Sequence, residues 1–352
     1  MLDRFGIIQW VKNKIRFMKF DQKILIVRFS SIGDIVQSTS PLRTIRNAYP
    51  DSSITFLTLS TYAPLLEMHP DIDSLLSINR KQSFKKLLEF RKYLYDKRFQ
   101  FVYDLHNSIR SNVLTYGISK KIYRLKKPRF KRSGLFFFHI NKFEKEFSSL
   151  RLFHNNIGSI WNNRDEIPST YLKISKYEKE KANRFLISRG VVSDFIAIVP
   201  GAAWNQKQWS SKNYINTLNK LNSPAVILGS KKDEICNEIS LGYNKAINLA
   251  GETDLRLAVS ILSNAMKIIG SDTGLVHAAE ALGKTVIMIM GPTSKETGGG
   301  TYKKKSTIVE KDIWCRPCSQ NGKFPCYRSS QKCMDLILPK DVVSAFLRSN
   351  KA

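Results

Sequence analysis

Short apolar runs rich in β-branched residues alternate along this chain with stretches whose apolar positions recur at helical spacing. The first strong run is KILIVR at residues 23–28, followed by a polar turn at 29–34 and a helical pattern over 35–47. The same reading predicts a strand over 53–59, a helix over 62–68, a strand over 101–105 and a helix over 107–116. Strand and helix in alternation predict a parallel sheet covered on both faces. The pattern breaks over 120–140. A connection at 164–175, carrying the breaker Pro168, leads into a second array. There the predicted strands are 195–199, 225–228, 246–249, 266–269 and 285–290. The predicted helices are 177–188, 214–221, 233–241, 255–264, 276–282 and 339–348.

The expected organisation follows from these two arrays. Residues 1–22 form a basic amphipathic extension and 23–175 an N-terminal Rossmann-like half. Residues 176–335 form a C-terminal half that includes a four-Cys segment at 315–333, and 336–352 form a C-terminal helix. Open parallel sheets bind ligands beyond the carboxyl ends of their strands. Both halves carry their small and polar residues at those ends, so two parallel sheets facing a central cleft are expected.

Charge changes this picture by adding a class of partner. The 352 residues hold 57 Lys and Arg against 29 Asp and Glu, a net charge of +28. Such a chain is drawn to polyanions: nucleic acid, anionic lipid or phosphorylated glycan. Eight of the basic residues fall within 120–132 without one acid, and LFFF at 135–138 follows directly. That tract suits a phosphate-rich amphiphile at a membrane; a solvated loop with its aromatics turned inward is the alternative. No run reaches the roughly 18 apolar residues of a membrane span. Lys and Arg interrupt the apolar positions of residues 1–20, and no small-residue cleavage site follows, so this is no secretory signal. Two readings of it stand, a helix in an anionic interface and a helix packed on its own domain.

Four turns at predicted strand ends carry candidate chemistry. The first is Ser30-Ser31-Ile32-Gly33-Asp34. Gly33 permits close backbone approach, and the Ser hydroxyls can hold oxyanions. Asp34 would repel a phosphate; it reads either as a helix N-cap or as a general base for an attacking hydroxyl. The second is Gly270-Ser271-Asp272-Thr273-Gly274-Leu275-Val276-His277. Thr273 and Gly274 offer donors to a pyrophosphate at a helix N-terminus, with His277 in its first turn. The third, Gly291-Pro292-Thr293, ends the next strand and can complete the same pocket. The fourth places Lys207, followed by Gln208 and Trp209, after Pro200-Gly201, where a cation can neutralise a departing diphosphate; a surface lysine is the alternative.

In this order and spacing the motifs resemble glycosyltransferase family 9, the heptosyltransferases of lipopolysaccharide core assembly. The resemblance runs from about residue 23 to 338. It includes SSIGD, KQW after PGA, GSDTGLVH, GPT and the CMD of the Cys-containing tail. It implies an α/β fold of the GT-B type, two Rossmann-like domains with the nucleotide-sugar donor on the C-terminal one. It also implies inverting transfer without a catalytic metal, from ADP-heptose to a hydroxyl of the lipopolysaccharide inner core. Asp34 matches the family's catalytic base. Lys207 matches the lysine on the donor phosphates, and Asp272, Thr273, Gly274 and His277 match the donor-binding turn. Gly291 and Thr293 complete that side. Asp233 or Glu234 is expected on the ribose, and Ser30, Ser31, Gly33 and Arg110 on the acceptor side. A cytoplasmic enzyme at the periphery of the inner membrane is implied. The long start before residue 23 and the basic tract depart from the family pattern, which leaves sugar and acceptor open.

Cys315, Cys318, Cys326 and Cys333 lie within nineteen residues. Soft thiolates at this density suit a structural zinc or iron. Two disulfides or reduced thiols are the alternatives, the first disfavoured in a cytosol. Cys236 reads as a small core residue. Among rival functions, a nucleic-acid binder would show a reading module, and none is found. An oxidoreductase would show Gly-x-Gly-x-x-Gly after a first strand, which is absent. A non-catalytic sugar-nucleotide binder would not need Asp34.

Overall fold

The computed structural model describes residues 22–162 and 164–349, together with the backbone of Trp10 and Val11. It divides into two compact units. The first runs to Lys127 and resumes at Leu150–Lys173; the second comprises Pro128–Ser149 and the chain from Ile174 onward. The segment Pro128–Ser149 therefore clusters with the second unit, although the sequence places it inside the first.

The first unit is a sheet in the order β1-β4-β3-β2-β5-β6. Its strands are β1 (Trp10–Val11), β2 (Lys23–Val27), β3 (Ser53–Leu59), β4 (Ser74–Ile78), β5 (Phe101–Asp104) and β6 (Lys121–Arg124). All pair in parallel except β1, which runs antiparallel to β4. Trp10 and Val11 are thus extended rather than helical; the rest of the expected N-terminal amphipathic helix lies outside the described residues. The helices are α1 (Ile32–Gln37), α2 (Thr39–Ala48), α3 (Phe84–Asp96) and α4 (Ile109–Thr115). Helix α1 starts at Ile32, one turn earlier than the sequence predicts, and Gly33 lies inside it. The predicted helix over 62–68 is a 3-10 turn, Ala63–Leu66. The apolar strand residues read as near-continuous runs because both sheet faces are covered: Ile24, Leu25, Ile26 and Val27 are all fully buried.

Two further helices bridge the chain between the arrays, α5 (Arg129–Phe138) and α6 (Ser149–His154). The second unit then orders its strands β12-β11-β10-β7-β8-β9, all parallel. These are β7 (Ile196–Val199), β8 (Ala225–Ile227), β9 (Ala246–Asn248), β10 (Lys267–Ser271), β11 (Thr285–Ile289) and β12 (Thr307–Val309). Its helices are α7 (Lys176–Ser188), α8 (Ser211–Leu221), α9 (Glu234–Gly242), α10 (Leu255–Asn264), α11 (Gly274–Ala281), α12 (Lys332–Asp335) and α13 (Pro339–Arg348). Two apolar clusters lie on the two faces of this sheet. One packs Tyr214, Ile239 and Val342 of α8, α9 and α13; the other packs Leu186, Ile261 and Ala279 of α7, α10 and α11. The final helix is tied down by Lys267, whose Nζ donates to Phe346 O at 2.7 Å and Ser349 Oγ at 2.6 Å.

Numbered within each unit, the parallel strands stand in the order 3-2-1-4-5 in the first and 3-2-1-4-5-6 in the second. This is the doubly wound Rossmann order, and ligands bind where the order reverses, between strands 1 and 4. Here those pairs are β2 with β5 and β7 with β10. Val27 is level with Asp104, and Val199 with Gly270.

One cap has a measurable consequence. Ser175 donates both N–H (2.8 Å) and Oγ–H (2.7 Å) to Glu178 Oε2, closing the N-terminus of α7. Arg256 of α10 donates Nε to Oε1 at 2.6 Å and Nη2 to Oε2 at 3.0 Å. Burial alone would raise the Glu178 carboxyl, but Arg256 and Ser175 bring it down to about 2. A depressed carboxyl stabilises the fold above its unfolded pKa and loses that contribution as pH falls through the folded value. Glu178→Gln is therefore expected to cost roughly 1–2 kcal/mol in denaturant unfolding at neutral pH, once solvent screening of the pair is allowed for. The gap between variant and parent should close as pH falls from about 4.5 to about 2. A gap that stays constant across that range would remove the ion pair from the account.

Candidate active site

In the first unit the site begins at the last residue of the β2 run. Arg28 is buried and its guanidinium reaches three ways: Nε to Ser30 O at 2.8 Å, Nη1 to Leu105 O at 2.5 Å and Nη2 to Asp34 Oδ2 at 2.7 Å. The Phe153 ring lies beneath it, 5.5 Å from centroid to Cζ. Asp34 sits in the first turn of α1 with Ser31 as N-cap. Ser31 donates its N–H (3.0 Å) and its Oγ–H (2.9 Å) to the same Oδ2. One carboxylate oxygen thus accepts three donors, while among the described residues Oδ1 accepts none. Burial would raise the Asp34 carboxyl, but the Arg28 charge and the Ser31 hydrogen bonds hold it below the usual carboxylate value. The side chain keeps 41% of its surface exposed, enough for a ligand to reach. Oδ2 thus does the capping work of one sequence reading.

The neighbouring strand end adds a residue that the sequence reading missed. His106 follows β5 and packs edge-on against Phe29, with ring centroids 5.3 Å apart. Its Nδ1 is buried without a hydrogen-bond partner among the described residues. Burial, then the charges of Arg28, Lys127 and Arg110, push the ring down to about 4 against the pull of Asp34. It is neutral at pH 7. Arg110 donates Nη2 to Arg80 O at 2.7 Å, so it is braced across a loop. Gly33 is buried in α1, and Ser30 contributes its carbonyl to Arg28.

In the second unit Lys207 closes a 3-10 turn after β7, and Asp272 follows β10. Lys207 Nζ lies 2.7 Å from Asp272 Oδ2, and Thr293 Oγ1 donates to the same oxygen at 2.9 Å. His277 Nε2 stands 3.4 Å from Oδ1. All four side chains are at least mostly buried. Burial would raise the Asp272 carboxyl, but Lys207 and then His277 hold it far below the carboxylate range. Lys207 is therefore an ion-paired cation built into the strand ends, neither a surface lysine nor one devoted wholly to an incoming phosphate. Thr273 is the N-cap of α11, and its Oγ1 is buried with no hydrogen-bond partner among the described residues. Gly274 opens the helix behind it, whose first-turn N–H groups have no intrahelical acceptor.

Gly291 and Thr293 also belong to this neighbourhood, with different work. A Cβ on Gly291 would meet the Met334 side chain at 2.8 Å, so this glycine permits packing against α12. Its carbonyl accepts from Arg316. Thr293 braces Asp272. Glu234 instead lines a cavity of about 810 Å³ with Asn205, Gln208, Ser230 and Asp233. This cavity lies between the loops after β7 and β8, beside the Lys207–Asp272 pair, whose side chains are not part of its wall. Asp233 accepts the Ser230 N–H at 2.7 Å, so its carboxylate is engaged in the loop.

The Cys segment covers the same strand ends. Cys318 N–H donates to Pro292 O at 3.2 Å, Gln320 to Thr297 O at 2.6 Å, and a Cβ on Gly322 would strike Lys207 Cγ at 2.7 Å. All five cysteines are unbridged. Burial first, then the nearby thiols of Cys333, Cys315 and Cys326, push the Cys318 thiol up to about 11. The four side chains share one neighbourhood, yet among the described residues no group of three or more His, Cys, Asp or Glu is arranged to hold a metal ion.

Comparison with known proteins bears on the family and the fold. The family model described as glycosyltransferase family 9 (heptosyltransferase) matches residues 87–327, more than half of the chain. Lipopolysaccharide heptosyltransferase 2 of Escherichia coli strain K12 is 28% identical over 299 residues, covering 78% of this chain and 84% of that protein. Among solved structures, a glycosyl transferase family 9 protein from Veillonella parvula superposes with a TM-score of 0.76 at 18% identity. That match covers 94% of this chain and 98% of the other. The E. coli ADP-heptose lipopolysaccharide heptosyltransferase II superposes with a TM-score of 0.71 at 21% identity, covering 94% and 100%.

Proposed function

The chain belongs to glycosyltransferase family 9, and from that premise we propose that it transfers a heptose from ADP-heptose to a hydroxyl of a lipopolysaccharide inner core, with inversion and with Asp34 as general base. It is a glycosyltransferase with the GT-B architecture of two Rossmann-like units. The observation that carries the reading is the asymmetric carboxylate of Asp34, which stands where strand order reverses in the first unit.

Arg28 and Ser31 pin Oδ2, so Oδ1 is the oxygen that receives the acceptor's proton. The acceptor oxygen attacks the anomeric carbon on the face opposite the diphosphate. The bond from that carbon to the β-phosphate oxygen breaks, and charge develops on the departing ADP. Lys207, the Thr273 hydroxyl and the first-turn N–H groups of α11 meet that charge in the second unit. One of the three Lys207 donors lies against Asp272, which fixes the ammonium; the other two are left for phosphate oxygens. A buried hydroxyl without a partner, as at Thr273, fits a ligand atom that completes it. The nucleoside fits the cavity of about 810 Å³ beside this pair, with Glu234 on the ribose. Ser30, Gly33 and Arg110 stand on the acceptor side with His106, whose neutral ring offers a hydrogen bond without repelling Arg28. Phosphates of the acceptor and an anionic membrane surface are the partners that a net charge of +28 fits. A position at the inner periphery of that membrane accords with helices none of which, among the described residues, is long and apolar enough to cross it.

Cys315, Cys318, Cys326 and Cys333 are proposed as the ligands of a structural zinc or iron that takes no part in the transfer chemistry. Their soft donor set supports this. Metal analysis of protein purified without chelator is expected to give one equivalent, lost in Cys315→Ser/Cys318→Ser; a metal-free parent ends the idea.

The test of the donor is competition among nucleotide sugars. With a heptose-deficient core acceptor, ADP-heptose should support transfer and UDP- or GDP-sugars should not. Transfer from one of the latter would keep the family and replace the sugar.

A further inference from the structure

The described surface carries an aromatic face that none of the chemistry above uses. Helix α5 is held to the second unit on one side only. Leu135 is buried, Arg132 Nε donates to Glu296 O at 2.9 Å, and Asn141 just beyond the helix donates to Glu296 Oε1 at 3.2 Å. The opposite side is apolar and open to solvent. Phe130 and Phe137 lie two helical turns apart on one stripe with Phe138 beside them, and they are 94%, 74% and 72% exposed. The chain ends the helix at His139 in a left-handed conformation and continues into exposed Ile140.

The face extends onto the Cys segment. The His139 ring meets Trp314 edge-on with centroids 5.2 Å apart. Trp314 stands 6.5 Å from Tyr327, and Arg328 lies 5.5 Å over the Trp314 ring. Trp314 and Tyr327 are themselves 67% and 63% exposed. Contiguous exposed aromatics of this extent mark an interaction surface. Exposed Arg129, Lys131 and Lys142 border it, and no acid occurs between Asp104 and Glu144.

We propose that this face, made of Phe130, Phe137, Phe138, Ile140, Trp314 and Tyr327, inserts into an anionic lipid bilayer. The proposal rests on the membrane partner proposed above and names the surface that meets it. Three properties select lipid as the occupant. Phe rings on the outer stripe of a surface helix enter the acyl boundary, and flanking Lys and Arg remain at the headgroups. Trp and Tyr prefer that boundary over either side of it. Basic residues near the surface add attraction to anionic headgroups, whereas a second copy of this chain, also at +28, is repelled. Only part of the basic tract belongs to this face: Lys120 precedes β6 and Lys121 stands in that strand, in the first unit.

The full chain is offered vesicles of phosphatidylcholine alone or with phosphatidylglycerol, and partition is read by flotation. Binding should require phosphatidylglycerol and weaken with salt. Phe130→Ser/Phe137→Ser/Phe138→Ser should lower the partition coefficient at least tenfold. Its melting temperature and ADP affinity should match the parent, which shows that it is folded. Brominated lipid should quench tryptophan fluorescence in the parent, and Trp314→Phe should remove most of that quenching. A parent that ignores anionic vesicles overturns the membrane reading itself. A parent that binds them while the triple variant binds equally well overturns this face alone. Concentration-dependent self-association in sedimentation velocity, abolished by the triple variant, would reassign the face to a second copy.

Discussion

Asp34→Asn is expected to lower turnover roughly 10²–10⁴-fold, the range for loss of a positioned general base, while ADP binding stays within a factor of two of the parent. The amide matches the carboxylate in shape and can still accept from Ser31, so α1 keeps its cap. Arg28 keeps its bonds to Ser30 O and Leu105 O, which holds the strand end in place. What is lost is the basicity of Oδ1. The parent should also stay active well into mild acid, because Asp34 is ionised below the usual carboxylate value. Initial rates with saturating donor, together with calorimetric titration of ADP, separate the two quantities. A variant with full turnover would deny Asp34 the proton. A variant that loses ADP affinity in step with turnover would place Asp34 on the donor.

Lys207→Met should produce the second large loss, and it should do so in two separable ways. Turnover should fall roughly 10²–10³-fold, the scale for removing one donor to developing charge. Stability should fall as well, by about 3–5 kcal/mol, since Asp272 would be left buried without its counter-charge. Adding Asp272→Asn removes the orphaned charge and should recover most of that stability. The double variant should remain as slow as the single one, because the recovered fold still lacks the cation. Denaturant unfolding and transfer rates on the three proteins test this. Recovery of both quantities together would make the pair a packing device with no part in transfer.

Much of this fold could be read from apolar runs. Eight of the predicted strands recur within a few residues, and α10 and α13 have the predicted bounds. Residues 69–100 were not read, for a physical reason. Helix α3 buries Leu87, Phe90 and Leu94 on one stripe, but Lys and Arg crowd the remaining positions and dilute the period. Strand β6 lies at a sheet edge, where a polar, half-exposed KIYR suffices and no apolar run is needed. Strand β4, SLLSI, is as long as β2 but is broken by two serines and holds a single β-branched residue, and β12 has only three residues.

At the site, turns at strand ends were legible and pairings were not. Lys207 and Asp272 stand 65 residues apart, and only the adjacency of β7 and β10 brings them together. Arg28 read as the polar end of a strand, because its partner Asp34 is reached through a loop without periodicity. His106 would have been found by assuming the 3-2-1-4 strand order, which puts the end of β5 beside the end of β2. The aromatic tract was visible as composition, but its division into buried Leu135 and outward Phe137 and Phe138 follows from helical geometry.

The path of the chain bears on how such enzymes can be recombined. Because Pro128–Ser149 clusters with the second unit, the polypeptide passes between units at three places: after Lys127, after Ser149 and after Lys173. A chimera that takes its first half from a relative and joins it near residue 174 would import a foreign α5 onto the native Glu296 turn and Trp314, with no matched seat for Leu135 or Arg132. Exchanging the acceptor half cleanly requires two grafts, one ending at Lys127 and one spanning Leu150–Lys173, with the intervening stretch kept from the recipient.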